Sequence, residues 1–312
     1  MQKITITILL AALILLMMTL VNGLNSNKEI TINALFCPAH NCAEFLIEHL
    51  QKNEGSKCVF YDLNHKEVIN YLNKTNASVL VFNKNYKGFG KKVSSRGLMH
   101  HKFCVLNETH TIITSANPTY NDLTLNTNNL LLINSKALTK NYLSEYYFIK
   151  DKKTFKTNTK IESDNIKIQN YFCPKDNCKQ KIEKTLNSAT KSIHYKTFTF
   201  TDNDIANILI NKNKSGVYVF GVTENFQNHN FWVVPMLKDL IVVQRKTSKQ
   251  HSKVFVIDEK IVITGSYNPT NAANTINNEN ILIIKNQELA SFYVEEIKRI
   301  LNEIWLILGK FI

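Results

Sequence analysis

One pattern of residues occurs twice in this 312-residue chain with the same internal spacing, and it limits the architectures that the chain can adopt. The clearer copy is HSKVFVIDEKIVITGSYN at 251–268, and the other is HHKFCVLNETHTIITSAN at 100–117. Their His, Lys, Ser and Asn positions are all 151 residues apart (251 − 100 = 151). A shared spacing over so long a run indicates an internal duplication. The chain is therefore expected to fold as two similar halves.

A second repeat, C-P-x-x-N-C, precedes each copy of the first. We expect a disulfide within each repeat, Cys37–Cys42 and Cys173–Cys178, with Cys58–Cys104 as a candidate third pair. The alternative is one zinc ion held by the four repeat cysteines, which an oxidising compartment disfavours. The repeats are 136 residues apart (173 − 37 = 136), so the second half carries 15 extra residues (151 − 136 = 15). We place them within 223–248.

The N-terminal residues 1–23 form a separate segment. Lys3 is followed by the uncharged apolar run 4–21 and then by Gly23, an arrangement that predicts a signal peptide. The run has 18 residues, which is also just enough to span a bilayer, so an uncleaved membrane anchor is the alternative. Both predict that the remainder of the chain is exported.

The pattern of apolar residues predicts alternating strands and helices in both halves. We place the first half at 24–149, a polar linker at 150–166 and the second half at 167–312. The aromatic stretch 195–200 is assigned to a core strand. This order predicts an α/β fold of two tandem domains, each a mixed sheet flanked by helices, related by a pseudo-twofold axis.

The His-x-Lys spacing indicates phosphoryl chemistry. Residues i and i+2 of a strand lie on the same face, so His100 is expected beside Lys102, and His251 beside Lys253. A neutral imidazole can attack phosphorus, and an imidazolium can protonate the leaving oxygen. Ammonium groups can neutralise the phosphate charge. Two such halves around one phosphodiester would require no metal ion and no cofactor.

The pattern H-x-K-x4-D followed by G-S-x-N resembles the phospholipase D superfamily, and residues 32–306 resemble its small nuclease-like, single-chain members. The resemblance implies the paired architecture and a covalent phosphohistidine intermediate. It implies a set of catalytic residues, namely His100, Lys102, Asn117, His251, Lys253, Asn268 and Glu279. It also implies supporting roles for Ser115, Ser266 and Asp258. In this set the histidines are nucleophile and general acid, the lysines and asparagines bind phosphate, and Glu279 orients a histidine.

The first copy departs from the family pattern at three positions, with Asn107 for Asp258, Thr114 for Gly265 and Asn128 for Glu279. Loss of the motif Asp leaves the chemistry intact, since tyrosyl-DNA phosphodiesterases resemble this variant in lacking it. Loss of the orienting carboxylate matters more, because it sets the tautomer and basicity of an imidazole. We therefore expect inequivalent histidines. Family analogy favours His100 as the nucleophile, whereas local support favours His251 with Glu279, so the assignment stays open here.

The net charge of +13 and the pI near 9.3 favour a polyanionic partner. The expected function is a metal-independent phosphodiesterase, with nucleic acid as the first candidate substrate because of this charge and the nuclease-like motif context. A phospholipid hydrolase or phosphatidyl transferase is the second candidate. A degenerate, non-catalytic binding module is the third. The sequence leaves the oligomeric state open.

Overall fold

A computed structural model of the protein describes residues 30–224, 233–244 and 248–307. The expected leader at 1–23 lies outside the described residues. Parts of the expected extra segment, at 225–232 and 245–247, lie outside them as well. Among the helices of the described ranges, none combines the length and the apolar character needed to cross a membrane.

The first half forms one mixed sheet. Its strands are β1 (Thr31–Cys37), β2 (Lys57–Phe60), β3 (Ser78–Phe82), β4 (Lys91–Val93), β5 (Lys102–Val105), β6 (His110–Thr114) and β7 (Asn128–Asn134). Its helices are α1 (Cys42–Gln51), α2 (Lys66–Lys74), α3 (Tyr120–Thr124) and α4 (Lys136–Asp151), with a 3-10 turn at Asn83–Asn85. The strand order is β1-β7-β6-β5-β2-β3-β4.

The second half repeats this arrangement. Its strands are β8 (Lys160–Glu162), β9 (Lys167–Cys173), β10 (Ser192–Thr197), β11 (Tyr218–Glu224), β12 (Ile241–Gln244), β13 (Val254–Ile257), β14 (Ile261–Gly265) and β15 (Glu279–Lys285). Its helices are α5 (Cys178–Asn187), α6 (Asn203–Lys214), α7 (Val233–Met236), α8 (Asn271–Thr275) and α9 (Gln287–Ile307). The strand order is β12-β11-β10-β13-β14-β15-β9-β8.

The two sheets therefore have the same strand order, apart from the additional edge strand β8. In each sheet the two pairings next to one edge are parallel, and the pairings around the His-x-Lys strand are antiparallel. The stretch 150–166, which the sequence predicted as a linker, contains the last residues of α4 and the strand β8, which pairs with β9. The expected fold class, two mixed sheets flanked by helices, is confirmed.

A single apolar core joins the two halves. It contains residues of both sheets together with α4 and α9, whereas α1 and α2 cover the other face of the first sheet and α5 and α6 the other face of the second. Aromatic side chains pack against each other across the interface between the halves, as two pairs illustrate. Phe36 of β1 packs edge-on against Tyr293 of α9, with ring centroids 4.9 Å apart, and Phe172 of β9 packs against Tyr142 of α4 at 5.2 Å. Such pairs contribute about 0.5–1.5 kcal/mol each beyond the apolar area they bury.

Two short helices after the motifs begin in the same way. The Thr119 hydroxyl accepts a hydrogen bond from the Asp122 amide at the start of α3, and the Thr270 hydroxyl accepts one from the Ala273 amide at the start of α8. A threonine at this position satisfies an amide that the helix itself leaves without a partner. Neither helix was predicted from the sequence, because five residues are too few for an apolar period.

All six cysteines are paired, in the disulfides Cys37–Cys42, Cys58–Cys104 and Cys173–Cys178. The expected disulfides are confirmed, and the zinc alternative does not hold because its four thiols are consumed. Cys58–Cys104 differs from the other two because it joins the adjacent strands β2 and β5 across 46 residues, whereas the repeats each span 5.

Replacing Cys58 and Cys104 together by Ala should destabilise the fold more than replacing Cys37 and Cys42 together. The loss of chain entropy in the unfolded state amounts to about 4 kcal/mol for the longer loop and about 2 kcal/mol for the shorter one. All four cysteines are buried, so the cavity terms are matched. Urea unfolding of both double variants measures the difference, and an equal or reversed order would contradict the entropic account.

Candidate active site

The two His-x-Lys motifs meet because each is paired with the backbone of the other half. The amide of His100 donates to the carbonyl of Asn278 at 2.9 Å, and the amide of His251 donates to the carbonyl of Thr127 at 2.9 Å. Those carbonyls directly precede β15 and β7. The His-x-Lys spacing predicted that His100 and His251 lie on strands, but β5 begins at Lys102 and β13 at Val254. The preceding residues bond across the halves instead of within their own sheet.

Two asparagines reinforce this crossing. The Asn277 side-chain oxygen accepts from the amide of Leu98 at 2.9 Å, and the Asn126 side-chain oxygen accepts from the amide of Lys249 at 2.9 Å. The two bonds are related by the 151-residue repeat (277 − 126 = 151; 249 − 98 = 151). The pseudo-twofold relation therefore extends to individual hydrogen bonds at the site.

Glu279 orients His100 from the other half. The Nδ1–H of His100 donates to Glu279 Oε2 at 2.8 Å, and both side chains are buried. Glu279 also accepts from the Ser266 hydroxyl at 2.6 Å and from Asn277 Nδ2 at 3.2 Å. Proximity in the sequence favoured His251 as the partner of Glu279, and this pairing is incorrect. The reason is the crossed backbone pairing, which puts His100 beside the start of β15.

His251 is held by the equivalent position of the first half, Asn128 (279 − 128 = 151). Its Nδ1–H donates to Asn128 Oδ1 at 3.0 Å, and Asp122 Oδ2 lies 3.4 Å from the same nitrogen. The Ser115 hydroxyl donates to Asn128 Oδ1 at 2.8 Å. Each motif serine therefore bonds the residue that orients a histidine.

The two motif lysines are buried with their ammonium groups against their own motifs. Lys102 Nζ donates to the His100 carbonyl at 2.8 Å, and Lys253 Nζ donates to the His251 carbonyl. Burial lowers the pKa of Lys102 to about 8, although Glu279 and other carboxylates oppose it. Burial and then the charge of Lys102 lower the pKa of Lys253 well below its ordinary value. Two buried cations, one of which lowers the pKa of the other, form a site suited to an anion.

An aromatic ring stands beside each histidine. Tyr61 contacts His100 edge-on with ring centroids 4.9 Å apart, and Phe198 contacts His251 at 4.7 Å. The lysine nitrogens lie over the same rings, at 5.2 Å from the Tyr61 centroid and 5.1 Å from the Phe198 centroid. The sequence analysis assigned Phe198 to a core strand, but β10 ends at Thr197. Phe198 could have been predicted as a site residue because it directly follows β10, the strand that pairs with the motif strand β13.

The motif asparagines follow β6 and β14. The backbone amide and Nδ2 of Asn117 donate to Asp122 Oδ2 at 2.9 and 2.7 Å. Asn268 is half-buried, and its Oδ1 accepts from the amide of Thr199 at 3.4 Å. Because an amide nitrogen carries two N–H groups, Asn117 Nδ2 keeps a second one after bonding Asp122. Their expected contact with phosphate stays a prediction.

Asp258 lies at the opposite end of β13 from Lys253. Its carboxylate accepts from the amides of Thr190, Lys191 and Ser192 at 2.7–3.1 Å and thereby holds the start of β10. Asn107, at the equivalent position, accepts from amides within its own turn. The motif Asp therefore stabilises a turn, and its replacement by Asn in the first half leaves the site unaffected.

The two site imidazoles are neutral and the two carboxylates beside them are ionised. Burial lowers the pKa of His100 to about 4, against the opposing charge of Glu279, and burial lowers the pKa of His251 well below its ordinary value, against Asp122. Burial alone would raise the pKa of Glu279, but His100 and Lys102 lower it. Within the described ranges, no group of three or more His, Cys, Asp or Glu side chains could hold a metal ion.

Comparison with known proteins agrees with this geometry. The family model for the PLD-like domain of cardiolipin synthase matches residues 22–149 and 182–301, once in each half. The chain belongs to the phospholipase D superfamily. The paired matches also confirm the tandem organisation expected from the repeat.

Relatives and solved structures extend the likeness. A phospholipase D of Rickettsia conorii is 32% identical over 135 residues, which cover 41% of this chain and 66% of the relative, just under two thirds. A mitochondrial cardiolipin hydrolase of Chlamydomonas reinhardtii is 29% identical over 119 residues, 37% of this chain and 53% of the relative. Phosphatidylserine synthase of Haemophilus influenzae has a similar fold, with a TM-score of 0.67 at 11% identity over 88% of this chain and 86% of that one.

The His100 pKa predicts a pH dependence of stability. Since the unfolded chain binds a proton near pH 6.5 and the folded chain only near pH 4, the contribution of this group is complete above pH 6.5 and is lost as the pH falls from 6.5 towards 4. The variant His100→Gln should therefore lose less stability than the parent protein between pH 7 and pH 5. Urea unfolding at both pH values tests this, and an identical loss in the two proteins would contradict it.

Proposed function

We propose that this protein is a phosphodiesterase that hydrolyses a P–O bond of a phospholipid through a phosphohistidine intermediate. The observation that carries the proposal is the pair of buried imidazoles, His100 and His251, each with Nδ1–H engaged by a residue of the other half. That tautomer leaves both Nε2 atoms for a substrate. Lys102 and Lys253 perturb the same two imidazoles electrostatically, so all four groups serve one site.

We assign the nucleophile to His100. Its Nε2 attacks phosphorus, the bond from phosphorus to the leaving oxygen breaks, and the imidazole ring becomes cationic. The carboxylate of Glu279, 2.8 Å from Nδ1, is placed to stabilise that cation. His251 has the neutral Asn128 as its hydrogen-bond acceptor, with the Asp122 carboxylate farther away at 3.4 Å. The ring of the nucleophile stays cationic throughout the intermediate. His100 is therefore the better nucleophile, because its carboxylate is the closer of the two.

His251 then serves as acid and base in turn. Protonated at Nε2, it transfers its proton to the departing alkoxide in the first step. In the second step its Nε2 accepts a proton from water, whose oxygen attacks phosphorus as the bond to His100 breaks. Burial and the nearby cations disfavour the imidazolium form of His251, and the negative charge of a bound phosphodiester would favour it.

Lys102 and Lys253 neutralise the non-bridging oxygens. Burial lowers the pKa of both lysines, and the charge of Lys102 lowers that of Lys253 further; the negative charge of a bound phosphate would favour the protonated form of each. No step in this scheme requires a metal ion, because the charge that must be stabilised lies within reach of two ammonium groups.

The choice of a lipid replaces nucleic acid as the first candidate. Nucleic acid was expected from the sequence because of the nuclease-like motif context and the net charge of +13, but that charge suits an anionic membrane surface equally well. The support for a lipid comes from the relatives, which are named as phospholipases D and cardiolipin hydrolases, and from the cardiolipin synthase family model. Nucleic acid remains the second candidate substrate on the strength of the charge.

Export of the chain belongs to the same proposal. Three disulfides are typical of an oxidising compartment, which agrees with a leader at 1–23 and with halves at 24–149 and 167–312 outside the cytoplasm. An exported enzyme would meet its lipid substrate at the outer side of a membrane.

The function is tested with purified protein in EDTA on three substrates: vesicles of cardiolipin, vesicles of phosphatidylcholine, and single-stranded DNA. We expect headgroup or phosphatidyl release from vesicles, and a fall of roughly 10²- to 10⁴-fold in kcat for His100→Ala and for His251→Ala. His110→Ala is the matched control, because this histidine lies at the far end of β6 from the site.

Two results would overturn the proposal. Cleavage of DNA with intact lipid vesicles would move the substrate class to nucleic acid while keeping the mechanism. Activity on none of the three substrates, or activity that both histidine variants retain, would exclude the catalytic assignment and favour a binding module.

A further inference from the structure

The two halves differ in where they carry a carboxylate. The position that holds Glu279 in the second half holds Asn128 in the first. The hydrogen-bond acceptor of His251 at this position is therefore a neutral amide, whereas that of His100 is a carboxylate. The reverse change occurs six residues earlier, where Asp122 of α3 corresponds to Ala273 of α8 (273 − 122 = 151). Each half thus has one acidic residue behind the site, but at two different positions.

Asp122 is buried and faces the histidine that has lost its acidic partner. Its Oδ2 lies 3.4 Å from His251 Nδ1 and accepts from the Asn117 amide and side chain, while Oδ1 accepts from Asn126 Nδ2 at 2.7 Å. Asn128 Nδ2 donates to the Asp122 carbonyl at 3.0 Å, which turns Asn128 Oδ1 towards His251. The Asp122 carboxylate therefore acts on His251 through its charge, and the backbone carbonyl of the same residue holds Asn128, which orients the ring.

We propose that Asp122 is the positioning residue of His251 and replaces, from α3, the carboxylate that the first half lacks at residue 128. The proposal rests on the proposed function, since it assigns Asp122 the task of keeping His251 able to hold a proton for the leaving group. Nothing in the family motif identifies this position, because the residue lies five places after the motif asparagine and its counterpart is alanine.

The charges around His251 show why this carboxylate is needed. His100, Lys102 and Lys253 all disfavour a proton on His251, as does burial, and Asp122 is the group that opposes them. The pKa of Asp122 is itself lowered to about 2, since His251, Asn126 and Asn117 outweigh its burial. Asp122 is therefore ionised over the whole working range of pH. An opposite charge at this distance shifts a pKa by about 1–3 units.

Asp122→Asn keeps the shape of the side chain and removes its charge. We expect the alkaline limb of the kcat–pH profile, which reports the protonated acid, to move about 1–3 units to lower pH. At a fixed pH on that limb, kcat should fall about tenfold per unit. Adding Asn128→Glu should move the limb back, because it rebuilds in the first half the arrangement of Glu279 with Ser266 and Asn277.

Asp258→Asn is the matched control. It also removes the charge of an aspartate that accepts several backbone amides, and that aspartate lies at the end of β13 away from the two histidines. This variant should keep the parent profile. A limb that stays in place in Asp122→Asn, or that moves as far in Asp258→Asn, would overturn the proposal.

A measurement without turnover separates this inference from the proposed function. The ¹⁵N-imidazole titration of His251, assigned with His251→Gln and recorded with saturating inorganic phosphate, should move to lower pH in Asp122→Asn and not in Asp258→Asn. If the protein cleaves no substrate but this titration moves, the function fails and the positioning role stands. If catalysis is present and the titration does not move, the positioning role fails. If the double variant with Asn128→Glu does not fold, the His251 titration in Asp122→Asn alone still tests the positioning role of Asp122.

Discussion

The site depends on one buried hydrogen bond, from His100 of the first half to Glu279 of the second. The backbone bond from the His100 amide to the Asn278 carbonyl brings the start of β5 to the start of β15 and so places these two side chains side by side. The carboxylate sets which ring nitrogen carries the proton, and burial makes that choice energetically important, since an unpaired buried charge is costly. The geometry of the candidate site and the association of the two halves therefore depend on the same contacts.

The duplication gives the two halves the same contacts around the site, but their acidic residues lie at different positions. Backbone pairing, the capping threonines of α3 and α8, the serines that hold residues 128 and 279, and the aromatic rings beside the histidines all recur in both halves. The carboxylates do not recur. The second half has a carboxylate at Glu279 and none at Ala273. At the equivalent positions, the first half has no carboxylate at Asn128 and one at Asp122. The two imidazoles therefore have different surroundings, which suits the separate roles of nucleophile and proton donor proposed for them.

Much of the fold could be predicted because local pattern and global repeat agree. Long strands and amphipathic helices follow from apolar period, and the two cysteine repeats were correctly expected to close local disulfides. The motif residues His100, Lys102, His251 and Lys253 could be proposed as one site because a duplication implies a symmetric pair. The elements missed were short ones, such as α3 and β8, whose stability comes from a cap or from an adjacent strand.

The pairing of site residues was beyond the sequence for a physical reason. Proximity along the chain suggested that Glu279 supports His251, 28 residues away (279 − 251 = 28), but the crossed backbone contacts assign it to His100 across 179. Asp122 was missed because it belongs to a five-residue helix and acts across the interface. Contacts between halves obey the symmetry of the assembled fold, which motif spacing within one half does not encode.

The most direct test is the number of covalent adducts that one chain can carry. A single shared site predicts that a turnover mixture, quenched in alkali and weighed intact, contains no more than one substrate-derived phosphoryl group per chain, and that peptide mapping places it on His100. Two adducts on one chain, or adducts distributed over His100 and His251, would contradict a composite site with distinct roles for its two histidines.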